Sequence, residues 1–332
     1  MNKLFSLVLL CLAFVSCERD LWLDTFFEDG NENKYHIQTL KHKSINGSQG
    51  FAVYDNKCFV MQKGGTCYVY NYDNSRSPVS SFKLACSNQN THCNCLNFGN
   101  EYVNESQYPL LYVSNGESGS PTELYCFVES LHLEDPFTYT ANLVQVLILD
   151  KSNFKKKELV VPVACPQWLV DNERQQLWAF SLTTRSTVSA MGDMKDVKVV
   201  ATCFELPKLA DGDTIKLGAK DVVKQSIFEA DAYILQAGCV KDGIIYMAYG
   251  YGGTGKQTPS KIRVYNTDTG EIDIRLDLDG IITDEPEDLY IYDNKLLLNT
   301  SGYIYSFDMN EIRRPSPVTR ATSRNFIVDY NE

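Results

Sequence analysis

Short apolar runs separated by tight polar turns cover most of the chain. FAVYDNKCFVMQ (51–62), TCYVYNY (66–72), LLYVSNG (110–116), LVQVLILD (143–150), IIYMAYG (244–250), KIRVYN (261–266), EIDIRLDLDG (271–280) and DLYIYDNKLLLN (288–299) alternate or cluster β-branched and aromatic residues. That is the pattern of strands packed on a pleated surface. DN, DG, NG, GG and TG pairs stand between and within them and mark reversals of the chain. No long stretch repeats every 3.6 residues, and the best helical window, Ser186–Asp196, is short. Without recurrent helices to carry crossovers, a parallel βαβ architecture is disfavoured and an all-β fold is expected.

The runs also recur as units. In Gln49-GFAVY-Asp55 a leading polar side chain is followed six positions later by a turn acid and then by an apolar strand, KCFVMQ. The same shape returns as Gln236-AGCVK-Asp242 before GIIYMA and as Glu287-DLYIY-Asp293 before NKLLLN. Gln167-WLVDN-Glu173 fits with a longer turn, and Asn94-CLNFG-Asn100 fits with its second strand delayed to 109–114. The starts at 49, 94, 167, 236 and 287 are spaced by 45, 73, 69 and 51 residues, against roughly 40–50 for a four-stranded propeller blade. The two long intervals then call for insertions, expected at 115–140 and 183–222.

A single meander leaves two apolar faces and long edges exposed, whereas radial packing of meanders buries the faces. The sequence therefore predicts a five-bladed β-propeller. A six- or seven-bladed ring, with blades hidden in the insertions, and a pair of β-sandwiches are the competing architectures. Tyr35–Lys41 is expected to supply the outer strand of the last blade and so close the ring, with Arg324–Tyr330 as its rival.

The first residues read as an address. Met1–Cys17 has Lys3, then an apolar stretch Leu4–Val15, too short to span a bilayer, which takes about 20 helical residues, and of signal-peptide type. Phe14-Val15-Ser16-Cys17 resembles a bacterial lipobox, which implies an acylated (palmitate-bearing) Cys17 as the mature N-terminus and attachment to the bacterial cell envelope, by expectation the outer membrane. The expected organisation is a signal peptide at 1–16, a lipidated acidic tether at 17–34 that lays Trp22, Phe26 and Phe27 against the domain, and one propeller domain at 35–332.

Charge narrows the partners. The chain is 44% hydrophobic, which excludes global disorder, and carries a net charge of −11 with no Lys/Arg run longer than Lys155–Lys157, which argues against nucleic acid. Nine cysteines follow Cys17, several within strand-like runs, where they read as small buried hydrophobes. Cys93 and Cys95 are expected to share one strand face, but their spacing and the lack of a second ligand pair do not describe a structural zinc site.

The segments THCNCLNFGNEY (91–102), YPLLYVSNG (108–116), LQAGCVKDGIIYMAYGYGG (235–253), KIRVYNTDTGEI (261–272) and DEPEDLYIYDNKLLLNTSGYIYSF (284–307) resemble uncharacterised β-propeller lipoproteins of Bacteroidota and, more distantly, are similar to helveticin-like propellers. The resemblance covers about residues 45–308. It implies a fold, and no chemistry.

In such a ring the leading residues of the hairpins should converge on one mouth of the channel. Gln49, Asn94, Gln167, Gln236 and Glu287, with His92 and Glu285 two residues upstream in their strands, are expected to form a polar ligand site there. Amides both donate and accept, which suits a glycan or a peptide. The expected function is a non-catalytic, membrane-anchored propeller binding such a polymer or an envelope protein; the alternative is a polysaccharide hydrolase or lyase using Glu285, Glu287 and His92.

Asp284–Asp288 also offers oxygen ligands for Ca²⁺, although no cofactor is expected. The loop Gly250–Gln257 fails as a P-loop because Gln257 replaces the Ser/Thr and no helix follows; its Tyr249 and Tyr251 are expected to stack on a sugar. No G-x-S-x-G is present, and the four His, His36, His42, His92 and His132, do not suggest a triad. The sequons at Asn46, Asn104 and Asn299 read as chance.

Overall fold

Left-handed residue pairs close the expected hairpins. Asp55 and Asn56 (φ 45° and 58°), Asp242 and Gly243 (51° and 76°) and Asp293 and Asn294 (48° and 56°) all have positive φ. Two-residue turns of this kind match the right-handed twist of the strands they join, and Asp, Asn and Gly tolerate them best.

A computed structural model describes residues 23–25, 38–41, 47–72, 77–89, 91–104, 106–185, 196–253 and 258–312. The signal peptide, Cys17, Trp22, Phe26, Phe27, most of the Ser186–Asp196 window and Arg324–Tyr330 lie outside them.

Five antiparallel meanders form the ring. The chain begins with β1 (Leu23–Thr25) and β2 (Gln38–Lys41). Blade 1 is β3 (Ser48–Tyr54), β4 (Lys57–Gln62), β5 (Thr66–Asn71) and β6 (Ser80–Lys83). Blade 2 is β7 (Cys95–Phe98), β8 (Leu111–Ser114), β9 (Tyr125–Asp135) and β10 (Thr138–Asp150). Blade 3 is β11 (Gln167–Asp171), β12 (Gln176–Leu182), β13 (Lys198–Glu205) and, after an excursion, β15 (Val222–Glu229). That excursion carries β14 (Thr214–Gly218), which returns to blade 2 and pairs parallel with β10 as a fifth strand.

Blade 4 is β16 (Leu235–Lys241), β17 (Ile244–Tyr249), β18 (Lys261–Asn266) and β19 (Glu271–Asp277). Blade 5 is β20 (Pro286–Tyr292), β21 (Lys295–Thr300) and β22 (Tyr303–Asp308), completed by β2 and then β1. The N-terminal strand therefore closes the ring, with Thr39 opposite Tyr305 and Leu40 opposite Ile304. Residues 23–25, expected in the tether, form the outermost strand of that blade.

The two expected insertions are largely blade. Residues 115–140 hold β9 and the start of β10, and 183–222 hold β13 and β14. The long intervals arise because β9 and β10 extend into a tall hairpin whose tip reaches blade 1, where Tyr139 stacks on Phe82 at 5.4 Å, and because the chain detours to blade 2 between β13 and β15.

Strand alternation fills the seams between blades. Ile245 and Met247 pack towards blade 3, with Leu169, Trp178 and Phe180. Tyr246 and Ala248, on the opposite face of the same strand, pack towards blade 5, with Leu289, Leu296, Leu298 and Phe307. Comparable clusters fill the seams between blades 1 and 2, 2 and 3, and 5 and 1. Each buried aliphatic or aromatic side chain contributes about 1.5–3 kcal/mol, so the seams dominate the stability.

At the axis the inner strands bind one another directly. The Asp288 carboxylate, on β20, accepts the main-chain N–H groups of Phe51 (2.9 Å) on β3, Leu96 (3.0 Å) on β7 and its own neighbour Leu289 (2.8 Å). The Cys95 thiol reaches the carbonyls of Gly238 on β16 (3.4 Å) and Trp168 on β11 (3.6 Å). Gly50 donates to the Cys93 carbonyl at 2.9 Å, and a Cβ on Gly50 would stand 2.5 Å from that oxygen. At this level the axis is packed, not a wet tunnel.

Replacing Asp288 with Ala should lower the unfolding free energy by about 3 kcal/mol, because three inner-strand N–H groups lose their acceptor in a buried site. Urea titration of the purified chain checks this, and a loss below about 1 kcal/mol would place the ring's cohesion elsewhere.

Candidate functional site

The packed level supplies a common reference. Phe51, Leu96, Trp168, Gly238 and Asp288 are the positions joined across the axis. Gln49, Asn94, Gln167, Gln236 and Glu287 each stand one or two residues earlier on their own inner strand. The repeat phase thus brings all five positions to one end of the axis, above the plug.

Their side chains do not line an open channel. Asn94, Gln167, Gln236 and Glu287 are buried, at 8%, 3%, 9% and 5% exposed. Gln49 is half-buried; its amide donates to the Ser48 carbonyl at 2.9 Å, and its own carbonyl accepts from the Asn299 amide at 2.6 Å. Asn299, one of the sequons, is fully buried in that contact.

Three expected residues come together between blades 4 and 5. The Gln236 amide nitrogen donates to Glu285 Oε1 at 3.0 Å and to the Gly250 carbonyl at 2.9 Å. Glu287 lies beside Glu285 and makes no side-chain hydrogen bond among the described residues. Burial first, then the charges of Glu285 and Asp288, push its pKa from 4.5 to about 9. Glu287 is therefore a neutral carboxylic acid at pH 7, able to donate as well as accept. Two further buried groups of the ring are unsatisfied: Gln167 Oε1 and Asn94 Oδ1 have no hydrogen-bond partner. Asn94 is seated over Gly116, where a Cβ would lie 1.9 Å from its oxygen.

His92 is engaged elsewhere. Its Nδ1 is 3.0 Å from Glu117 Oε2, which also binds Lys63 Nζ at 2.8 Å. Burial and then the Lys63 charge lower the His92 pKa, against the pull of Glu117. Glu117 is held below the usual carboxylate range chiefly by its bond to Lys63. No hydrogen bond joins His92 to Glu285 or Glu287 among the described residues. Glu117 carried no repeat signal, because it falls in an interval read as an insertion.

The acidic run 284–288 diverges. Asp284 accepts from the Tyr305 hydroxyl at 3.1 Å, Glu285 meets Gln236, Glu287 lies buried beside Glu285 and Asp288 binds the inner ring. No group of three or more His, Cys, Asp or Glu is arranged to hold a metal among the described residues. Cys93 and Cys95 do not share a strand face, because Cys93 precedes β7 with φ 54° and breaks the alternation. Tyr249 is fully buried, its hydroxyl 2.6 Å from that of Tyr265, and is not available to a sugar; Tyr251 is 38% exposed beside Asp284. On the far face a cleft of about 320 Å³ is lined by Asn100, Glu101, Gln175, Leu206, Pro207 and Lys208, and its Glu101 carboxylate already binds the Leu209 N–H at 3.1 Å.

No protein-family model and no curated protein matches the chain. Among solved structures, the crystal structure of Myxococcus xanthus glutaminyl cyclase is similar at 11% identity and TM-score 0.44, over 80% of this chain and 91% of that one. The tail fiber of Staphylococcus aureus phage P68 matches at 14% identity and TM-score 0.47, over 89% of this chain and 57% of that one. The Cps50 (Swd1) β-propeller domain of Myceliophteria thermophila matches at 10% identity and TM-score 0.36, over 79% and 83%. With every score below 0.5 the functional reading rests on this chain's own residues.

Glu287 generates a signed prediction. Its folded pKa lies above its unfolded one, so its contribution to stability is complete below about 4.5 and is lost as pH rises towards 9. At pH 7 the resulting cost is on the order of 3 kcal/mol. Glu287→Gln should therefore stabilise the chain by up to about that amount at pH 7 and flatten its stability over this pH window. Denaturation midpoints measured from pH 4 to pH 9 check both; an unchanged slope would remove Glu287 as the titrating group.

Proposed function

We propose that the chain is an exported, lipid-anchored β-propeller of the bacterial envelope, akin to the Bacteroidota lipoproteins it resembles, that binds a polar polymer at the mouth formed by Gln236, Glu285 and Glu287 without chemically changing it. The observation that carries this reading is Glu287: a carboxyl 5% exposed, beside a second carboxylate, with no hydrogen bond among the described residues. Such a group costs stability unless a ligand supplies its partner. The unpartnered oxygens of Gln167 and Asn94 at the same end of the axis favour a ligand rich in N–H or O–H donors, as glycans and peptides are. The anchor is read from Phe14–Cys17 alone.

A second reading, a polysaccharide hydrolase or lyase, is favoured by one feature. Two adjacent carboxyls, one holding its proton to about pH 9, resemble an acid and base with separated proton affinities. His92, paired with Glu117, is not a member of that set.

Calorimetric titration of the chain from residue 18 onward against glycan and peptide libraries tests the proposal. Gln236→Ala and Glu287→Gln are each expected to weaken binding about tenfold, the value of one lost hydrogen bond, while the bound polymer is recovered intact. Released oligosaccharide, lost in Glu287→Gln, would establish the second reading; binding unchanged by both substitutions would move the site.

A further inference from the structure

Nine cysteines of the described chain are buried and unbridged. Most are core thiols with a main-chain acceptor: Cys126 points to the Phe127 carbonyl (3.9 Å), Cys203 to that of Phe204 (3.7 Å) and Cys95 to that of Gly238 (3.4 Å). Cys86 and Cys93 differ, because their side chains are hydrogen-bonded to each other. Both are fully buried in the seam between blades 1 and 2.

The backbone on each side is fixed. Cys86 N–H donates to Glu129 Oε1 at 2.7 Å, and Ala85 N–H to Glu129 Oε2 at 2.8 Å. Cys93 N–H donates to Thr91 Oγ1 at 3.2 Å, and the Cys93 carbonyl accepts from Gly50. Cys93 holds φ at 54°, a conformation that is costly for a residue with a Cβ and that the surrounding bonds must maintain. In that conformation the thiol meets Cys86 and also reaches Thr91 Oγ1 at 3.4 Å. The Cys86 thiol also touches the buried Glu129 carboxylate; the bond to Cys93, burial and Glu129 all push its pKa up, so in the closed seam it stays a thiol.

We propose that Cys86 and Cys93 are a thiol pair built to close into a disulfide, which fastens the segment 86–93 to the start of the inner strand of blade 2. The oxidant is a disulfide donor of the glutathione-disulfide class. In the open chain the Cys86 thiol gives up its proton to solvent, and the thiolate attacks one donor sulfur, breaking the donor S–S bond and releasing one thiolate. Cys93 then gives up its proton and attacks the Cys86 sulfur of the mixed disulfide, expelling the second donor thiolate. Two cysteines are oxidised, one donor disulfide is reduced to two thiols, and the leaving thiolates take up the two protons. Because the pair is buried, the exchange belongs to the folding chain, before blades 1 and 2 close over it. The compartment implied by the leader sequence is one where such donors persist. The closed pair would pin Asn94, which follows Cys93, at that end of the axis.

The full chain, unfolded with reductant and refolded across a series of glutathione/glutathione-disulfide ratios, tests this. Free thiols are alkylated with one reagent in denaturant; the sample is then reduced and the newly freed thiols alkylated with a second. The second label should appear on Cys86 and Cys93 together. The oxidised chain should unfold at a higher urea concentration than the reduced one, and Cys67→Ser should leave both results unchanged. Cys86→Ser and Cys93→Ser should each abolish the labelling and the difference in midpoint. If those variants do not fold, the labelling of the unsubstituted chain decides alone. First label on both positions at the most oxidising ratio, or Cys93 joined to Cys67 or to any other cysteine, overturns the proposal.

Discussion

The blades are fastened to one another by buried carboxylates that accept main-chain N–H groups from neighbouring blades. The innermost strand of each meander has a partner on one side only, so the polar groups of its axial edge must find acceptors and donors outside the sheet. Asp288 serves β3 and β7 from blade 5. Asp171, at the end of β11, serves Asp242 (3.2 Å) and Gly243 (2.7 Å) in the turn of blade 4. Glu129 serves Ala85 and Cys86 between blades 1 and 2. Neutral groups extend the scheme, with Ser114 accepting from Trp168 N–H at 2.8 Å and Asn97 donating to the Trp168 carbonyl at 3.1 Å. A buried carboxylate is tolerable only with several donors, and each of these has at least two. The apolar seams supply most of the free energy, while the carboxylates fix the angle and level at which one blade meets the next.

The parts of this fold that are legible in sequence are those whose chemistry is local. A two-residue hairpin turn demands residues that accept positive φ, and Asp55-Asn56, Asp242-Gly243 and Asp293-Asn294 announce it. Period-two alternation then marks which residues enter a seam. The closing strand at Gln38–Lys41 was legible as well, because a ring built of hairpins leaves its last blade one strand short. What depends on distant partners was not legible. The parallel pairing of β14 with β10 joins residues 146–150 to 214–218, and nothing within either segment declares it. Tyr249 has the composition of a face residue, yet its hydroxyl is satisfied by Tyr265 within the core.

The same division runs through the candidate site. Repeat phase placed Gln49, Asn94, Gln167, Gln236 and Glu287 at one end of the axis, because register along equivalent strands is conserved by the geometry of the blade itself. It did not foresee that most of these side chains are buried, nor that His92 is taken by Glu117, which Lys63 also binds. Those outcomes depend on the loop after β8, whose course is set by Asn115: its side chain accepts from the Glu117 N–H at 3.2 Å and donates to Thr122 at 2.6 Å.

Glu287 and Asp288 are adjacent on one strand and nearly equally buried, yet their surroundings are opposite. Asp288 receives three main-chain N–H groups; Glu287 receives no hydrogen bond among the described residues. The architecture therefore supplies main-chain donors to a carboxyl at this depth, one residue further along, although burial still holds the Asp288 pKa well above the usual carboxylate range. Keeping a carboxyl at position 287 leaves stability unrealised across the neutral pH range, in a position that adjoins Gln236 and Glu285 at the end of the axis. A folded chain accepts such a loss where the group has work to do on something it meets in solution, and this contrast between neighbouring residues points to the mouth more strongly than the ring of amides from which the site was first read.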